Sequence, residues 1–229
     1  MKFLFAMLFF IDTLTNVLAQ TTETRDLRDF SKIHASLAAD ITLVQADTFS
    51  FTAEGTSKRL DLLETNIKNG VLTIKMPNKT HVWDDVDKLK IRISAPNFEQ
   101  LDFSGFGEIR AKTLLSGKKL IIDISGAGNI ELQNIAFEDL QVDFSGAGNL
   151  SLHGTADRAT FDLSGAGNID ADELKVQSAH CEVSGVGSLS CFVIEDLNAE
   201  VSGIGSVKYR GEPKSLNKHV SGIGRVRRL

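Results

Sequence analysis

The chain has 229 residues, of which 42% are hydrophobic and 24% charged, with a formal net charge of −5. That composition can bury a sizeable core and excludes a disordered chain or a multi-span membrane protein. The acidic balance argues against a general nucleic-acid binder, which needs a basic face against phosphate.

At the N-terminus, Lys2 precedes an apolar run from Phe3 to Ile11, and the segment ends in Val17-Leu18-Ala19. This is the pattern of a signal peptide over residues 1–19, cleaved after Ala19. Asp12, Thr13, Thr15 and Asn16 interrupt the run well short of the ~20 apolar residues of a membrane span, and no cysteine follows closely enough for a lipoprotein anchor. No later segment is expected to span a bilayer. Residues 20–27 read as a flexible mature N-terminus. From 28 to 100 the sequence alternates as strands over Asp40–Ala46, Thr48–Ala53, Leu60–Ile67, Val71–Met76 and Leu89–Ile93, with Asn69-Gly70 as a hairpin signal. The stretch from His81 to Lys88, with Trp83 among Asp84, Asp85 and Asp87, reads as an exposed loop.

Residues 101–229 are organised by a repeat. The tetrad Ser-Gly-x-Gly begins at Ser104, Ser125, Ser145, Ser164, Ser184, Ser202 and Ser221, at steps of 18 to 21 residues, and contains 14 of the 19 glycines. Its flanks alternate with period two. Phe103, Ile124, Phe144, Leu163, Val183, Val201 and Val220 precede the serines, and Leu101, Ile122, Val142, Phe161, Cys181 and Ala199 lie two residues further back. Between these apolar rows the slot holds Asp102, Asp123, Asp143, Asp162, Glu182, Glu200 and His219. After the tetrad, apolar Ile109, Ile130, Leu150, Ile169, Leu189, Val207 and Val226 are each followed by a polar residue. Each unit is therefore strand, glycine corner, strand. Some 20 residues are too few for a βαβ crossover or a helix pair, and the leucine-rich pattern is absent. Stacked coils of a parallel β-helix remain, with equivalent residues forming ladders and glycine letting successive corners lie against each other. Residues 28–100 then form a β-rich portion that caps the first coil and hides its strand edges.

The repeated Ser-Gly-Ala-Gly-Asn-Ile, the stretch Gly205-Ser206-Val207-Lys208-Tyr209-Arg210-Gly211-Glu212-Pro213 and the opening Arg28-Asp29-Phe30-Ser31-Lys32-Ile33 resemble the putative auto-transporter adhesin head GIN domain family. The resemblance covers one continuous domain of about residues 28–226. It implies an exported bacterial protein, secreted, periplasmic or on the cell surface, with an all-β fold: a right-handed parallel β-helix, that is a single-stranded β-solenoid. It brings no catalytic residues.

No catalytic, cofactor-binding or metal-binding residue is expected, and no cofactor. The Gly-x-Gly pairs recur between strands, without the helix N-terminus or Gly-Lys-Ser/Thr of a phosphate loop. His34, His81, His153, His180 and His219 show no ligand spacing with Cys181 and Cys191. These cysteines occupy apolar slots of one coil, where a disulfide and two packed thiols both satisfy the pattern. In-register stacking turns Asp102, Asp123, Asp143, Asp162, Glu182 and Glu200 into a carboxylate ladder, which must raise its own pKa values or attract cations. Asn129, Asn149 and Asn168, continued by Ser188 and Ser206, make an amide ladder. Basic residues gather at the end: from Gly205 onward there are seven Lys or Arg against one acid, Glu212. Such an end could meet anionic lipid, or serve as a solvated cap. The sequence thus points to a non-enzymatic adhesion or assembly scaffold whose ligand is a protein or glycan surface. Nucleic acid is excluded as a partner, and a homo-oligomer stays open. The alternative is a glycan-binding or polysaccharide-degrading β-helix protein.

Overall fold

The structure, a computed structural model, describes residues 20–77 and 88–229. The expected signal segment and the stretch His81–Asp87 around Trp83 lie outside the described residues. All the strands described join one continuous sheet wound into a β-solenoid of about six turns. Among the described residues one short helix interrupts it, between the strands Ser50–Thr56 and Glu64–Lys68 in chain order.

The repeats stack as the alternation requires. Strand β8 (Gln100–Phe103) leads through the first tetrad into β9 (Phe106–Ala111), and β10 (Leu115–Ile124) leads through the second into β11 (Ala127–Phe144). Strands β12 (Ala147–Leu163), β13 (Ala166–Val183) and β14 (Val186–Val201) each run from one tetrad to the next, bending where the register shifts. The final coil comprises β15 (Ile204–Arg210), β16 (Ser215–Val220) and β17 (Ile223–Arg228). All these pairings are parallel, and tetrad meets tetrad: Gly128 opposes Gly148, Gly148 opposes Gly167, and Gly167 opposes Gly187.

The corners explain the glycines. Gly126 donates its N–H to the Phe103 carbonyl at 3.1 Å and Ala127 to that of Gly105 at 2.9 Å, so the backbone of one corner rests directly on the last. At Gly148 the backbone also has φ of 131°, a conformation that L side chains rarely adopt. At Gly167 the constraint is space: a Cβ built there would fall on the carbonyl oxygen of Gly148.

The N-terminal part departs from the sequence reading in three ways. First, the stack does not begin at residue 101. Strands β2 (Lys32–Ser36) and β3 (Ala38–Gln45) already form a coil, pairing in parallel with β8 and β9. Its corner is Ser36-Leu37-Ala38-Ala39, in register with Ser104-Gly105-Phe106-Gly107. Beyond it lies another layer made later in the chain, with β6 (Val71–Lys75) on β2 and β7 (Leu89–Ala95) on β3. Second, the expected strand Leu60–Ile67 starts as helix α1 (Ser57–Leu62) and only then becomes β5 (Glu64–Lys68). One helical turn carries Leu60 and Leu63 inward together, where both are buried. Arg25 secures that turn by donating to the Leu63 carbonyl at 2.7 Å and the Leu60 carbonyl at 3.3 Å. Third, residues 20–27, expected to be flexible, contain β1 (Gln20–Arg25), antiparallel to β4 (Ser50–Thr56) over six residue pairs. Strand β4 is antiparallel to β7, and β5 to β6, so the chain reverses direction at this end and closes the stack. The β5–β6 hairpin turns at Asn69 and Gly70, with φ of 53° and 75°, as the two-residue signal predicts.

The core is narrow. The apolar rows on either side of the tetrads are buried from Ile33 to Val207 in one cluster. Opposite walls touch, since the Sγ atoms of Cys181 and Cys191 are 3.9 Å apart. Both thiols are free. The hydrogen bond to Cys191, together with burial, holds the Cys181 thiol well above its ordinary pKa, so it stays protonated.

Candidate functional site

With the inside packed by side chains, chemistry can only sit on the outer rows. The carboxylate slot forms an unbroken ladder: Asp102, Asp123, Asp143, Asp162, Glu182 and Glu200 are successive register partners. Histidine stands at both ends, His34 opposite Asp102 and His219 opposite Glu200. His34 Nδ1 lies 2.7 Å from Asp102 Oδ2. Sequence reading missed His34 as a rung, although His34-Ala35-Ser36 matches the phase of Asp102-Phe103-Ser104.

Along this row the environment differs between rungs. Burial, helped by Asp102 and Asp143, raises the Asp123 carboxyl above its ordinary value. Burial and then Glu182 and Asp143 do the same for Asp162, whose Oδ1 is buried and has no hydrogen-bond partner among the described residues. Asp143 between them is exposed. No group of three or more His, Cys, Asp or Glu placed to hold a metal ion occurs among the described residues.

Across the corner runs the amide ladder. Asn149 Nδ2 donates to Asn129 Oδ1 at 3.1 Å, Asn168 Nδ2 to Asn149 Oδ1 at 3.0 Å, and Ser188 Oγ to Asn168 Oδ1 at 2.8 Å. Side-chain amides that satisfy each other along the stack are structural first. Between the two ladders, on the crest of the corner, lie two rows that the alternation alone does not single out. One is the tetrad serine, exposed in every coil. The other is the residue between the glycines, an apolar row of Phe106, Ala127, Ala147, Ala166, Val186, Ile204 and Ile223. Its bulky members are open to solvent: Phe106 is 54% exposed and Ile223 78%.

The described surface has shallow depressions. One, of about 390 Å³ beside the β8–β10 wall, is lined by Lys32, Phe98, Gln100, Lys118 and Lys119, with Glu99 as its one carboxylate. Glycoside chemistry needs a pair of carboxyl groups in contrasting environments facing a common bond, which this lining does not supply.

A second feature missed in the sequence is how the basic end closes. Lys218 and Arg228 fall in inward slots, opposite Ala199 and Tyr209. The Lys218 ammonium sits 4.9 Å from the Tyr209 ring centroid and 3.3 Å from its hydroxyl. Inward charges of this kind prevent a further coil from stacking there.

Stacked strand–corner–strand coils with in-register ladders on their outer rows define a β-solenoid. The family model described as "Putative auto-transporter adhesin, head GIN domain" matches residues 29–213, and the chain belongs to that family. Among solved structures it is similar to a putative adhesin from Bacteroides fragilis NCTC 9343, with 27% identity and a TM-score of 0.90, covering 92% of this chain and 97% of that one. A putative adhesin from Parabacteroides distasonis ATCC 8503 shares the fold at 20% identity and a TM-score of 0.72, with coverage of 92% and 97%. So does a protein from the same organism named a putative lipid binding protein, at 23% identity and a TM-score of 0.70, with coverage of 92% and 96%. A search of curated proteins finds no match. Among the described residues no helix is long and apolar enough to cross a membrane.

Proposed function

We propose that the protein is an exported, non-enzymatic scaffold that holds a rigid, repeating face for adhesion at or outside the cell surface. Family membership supports the adhesion role, and the leader-like segment 1–19 supports export. The observation that carries the reading is the register itself. From His34 to His219 the coils stay in register rung on rung, over roughly 30 Å at the ~4.8 Å strand spacing. Identical groups at a fixed repeat suit an extended ligand surface, where many weak contacts add through avidity. The glycan alternative receives little support, because Phe103, Phe144 and Phe161 are buried and form no exposed aromatic stripe.

The test is retention of the purified protein on an array of matrix proteins and glycans. The expected result is retention that rises steeply with ligand density. Absence of retention on every surface would contradict the adhesion reading.

A further inference from the structure

One end of the solenoid carries a surface that its family role does not explain. On the sheet that follows the corner, β14, β15 and β17 place three outward rows side by side. The first is Val186, Ile204 and Ile223, the last is Ser190, Lys208 and Arg227, and Ser188, Ser206 and Arg225 lie between. The first row is alanine in the three coils before it, at Ala127, Ala147 and Ala166, and becomes β-branched and protruding here. Val186 and Ile204 are each 57% exposed and Ile223 is 78% exposed. Lys208, Arg225 and Arg227 have no acidic partner among the described residues, whereas neighbouring Arg210, Lys214 and Arg228 are paired with Asp172, Glu195 and Glu212.

We infer that this patch docks on the surface of an anionic lipid bilayer. Exposed aliphatic side chains next to unpaired guanidinium and ammonium groups are the combination that enters the headgroup layer while meeting its phosphates. Charge narrows the occupant. Two such basic ends repel, which disfavours a second copy meeting it in the same orientation, and the inward Lys218 and Arg228 oppose another coil stacked on the end. A soluble acidic polysaccharide would use the cations but has no need of three protruding aliphatics. From Gly205 onward the chain carries a surplus of six positive charges, while its total is −5. The remainder is therefore strongly acidic and is repelled by the same bilayer.

The inference stands apart from the adhesion reading, and vesicle co-sedimentation tests it without reference to any adhesion ligand. The probes are vesicles of phosphatidylcholine alone and of phosphatidylcholine with about a third phosphatidylglycerol, at low and high salt. The wild-type protein is expected to sediment with the anionic vesicles at low salt and not with the neutral ones. Arg225→Gln with Arg227→Gln should weaken binding about 10- to 30-fold, at ~1 kcal/mol for each basic residue near the surface. Ile204→Ser with Ile223→Ser, which leaves the charge intact, should weaken it several-fold, and Lys58→Gln at the opposite end should leave it unchanged. Each variant is checked for an unshifted Tm. Failure of the folded wild type to bind anionic vesicles would overturn the inference. So would binding that ignores the isoleucines and is matched by soluble polygalacturonate, which would make the patch an acidic-polysaccharide site.

Discussion

Gly167→Val is expected to lower the Tm by on the order of 10 °C, or to prevent folding. The new Cβ would lie 2.1 Å from the Gly148 carbonyl oxygen of the coil beneath, and that oxygen belongs to backbone, which cannot swing aside as a side chain can. Relief requires lifting β13 from β12, which breaks corner contacts such as the Ala166 N–H to the Gly146 carbonyl at 3.0 Å. Overpacking costs about 1–3 kcal/mol where side chains can adjust and more where they cannot. A domain of this size loses roughly 2–4 °C per kcal/mol. Ser164→Val, three residues away but outward and exposed, should change the Tm little. Thermal unfolding by circular dichroism compares the two, and equal effects would show that the tetrad is not a stacked corner.

The combined change of Asp123, Asp143 and Asp162 to Asn is expected to act in the opposite direction and raise the Tm at pH 7. It removes four adjacent like-charge contacts, those of 102 with 123, 123 with 143, 143 with 162, and 162 with 182. Each is worth roughly 1 kcal/mol in water at ladder spacing and less in salt. The new amides could also bond along the stack as Asn129, Asn149 and Asn168 already do. The pH dependence follows from Asp123 and Asp162, whose folded pKa values lie above the unfolded ones. Folding then favours proton uptake, so their contribution to stability is fully present below the ordinary carboxylate range and is lost as pH rises through the raised values. The wild type should gain stability relative to the variant on acidification, the gap closing as pH falls through the raised values. A gap that widens on acidification would mean that the ladder carboxylates are stabilised as anions.

How much of this was legible in the sequence depends on how local each signal is. The corner is read directly, because Gly126 and Gly128 meet Gly105 and Gly107 through a repeat that puts the same residue in the same slot. The carboxylate and amide ladders follow from it, since fixing the register of one row fixes all. The first coil escaped because Ser36-Leu37-Ala38-Ala39 lacks both glycines. Leu37 and Ala39 are tolerated at the end of the repeated corners, where the adjoining layer has no tetrad and instead carries Lys75 and Leu89 against Ser36 and Ala39. The reversed order of the outer layers leaves no local trace, because β2 finds β6 and β8 some 40 and 70 residues away. In α1, Leu60 and Leu63 fit a helical turn, while Leu63 through Ile67 alternates as a strand, and a six-residue helix is too short for periodicity to separate them. At the candidate faces, alternation told inside from outside but gave no reason to single out Val186, Ile204 and Ile223.

The most direct test of a scaffold that binds without turning over its ligand is product release. Wild-type protein and Asp143→Asn are incubated with neutral and acidic polysaccharides, and new reducing ends and unsaturated uronate absorbance are followed. The account predicts no release by either protein. Turnover by the wild type that is abolished in Asp143→Asn would contradict it and make the carboxylate ladder a catalytic site.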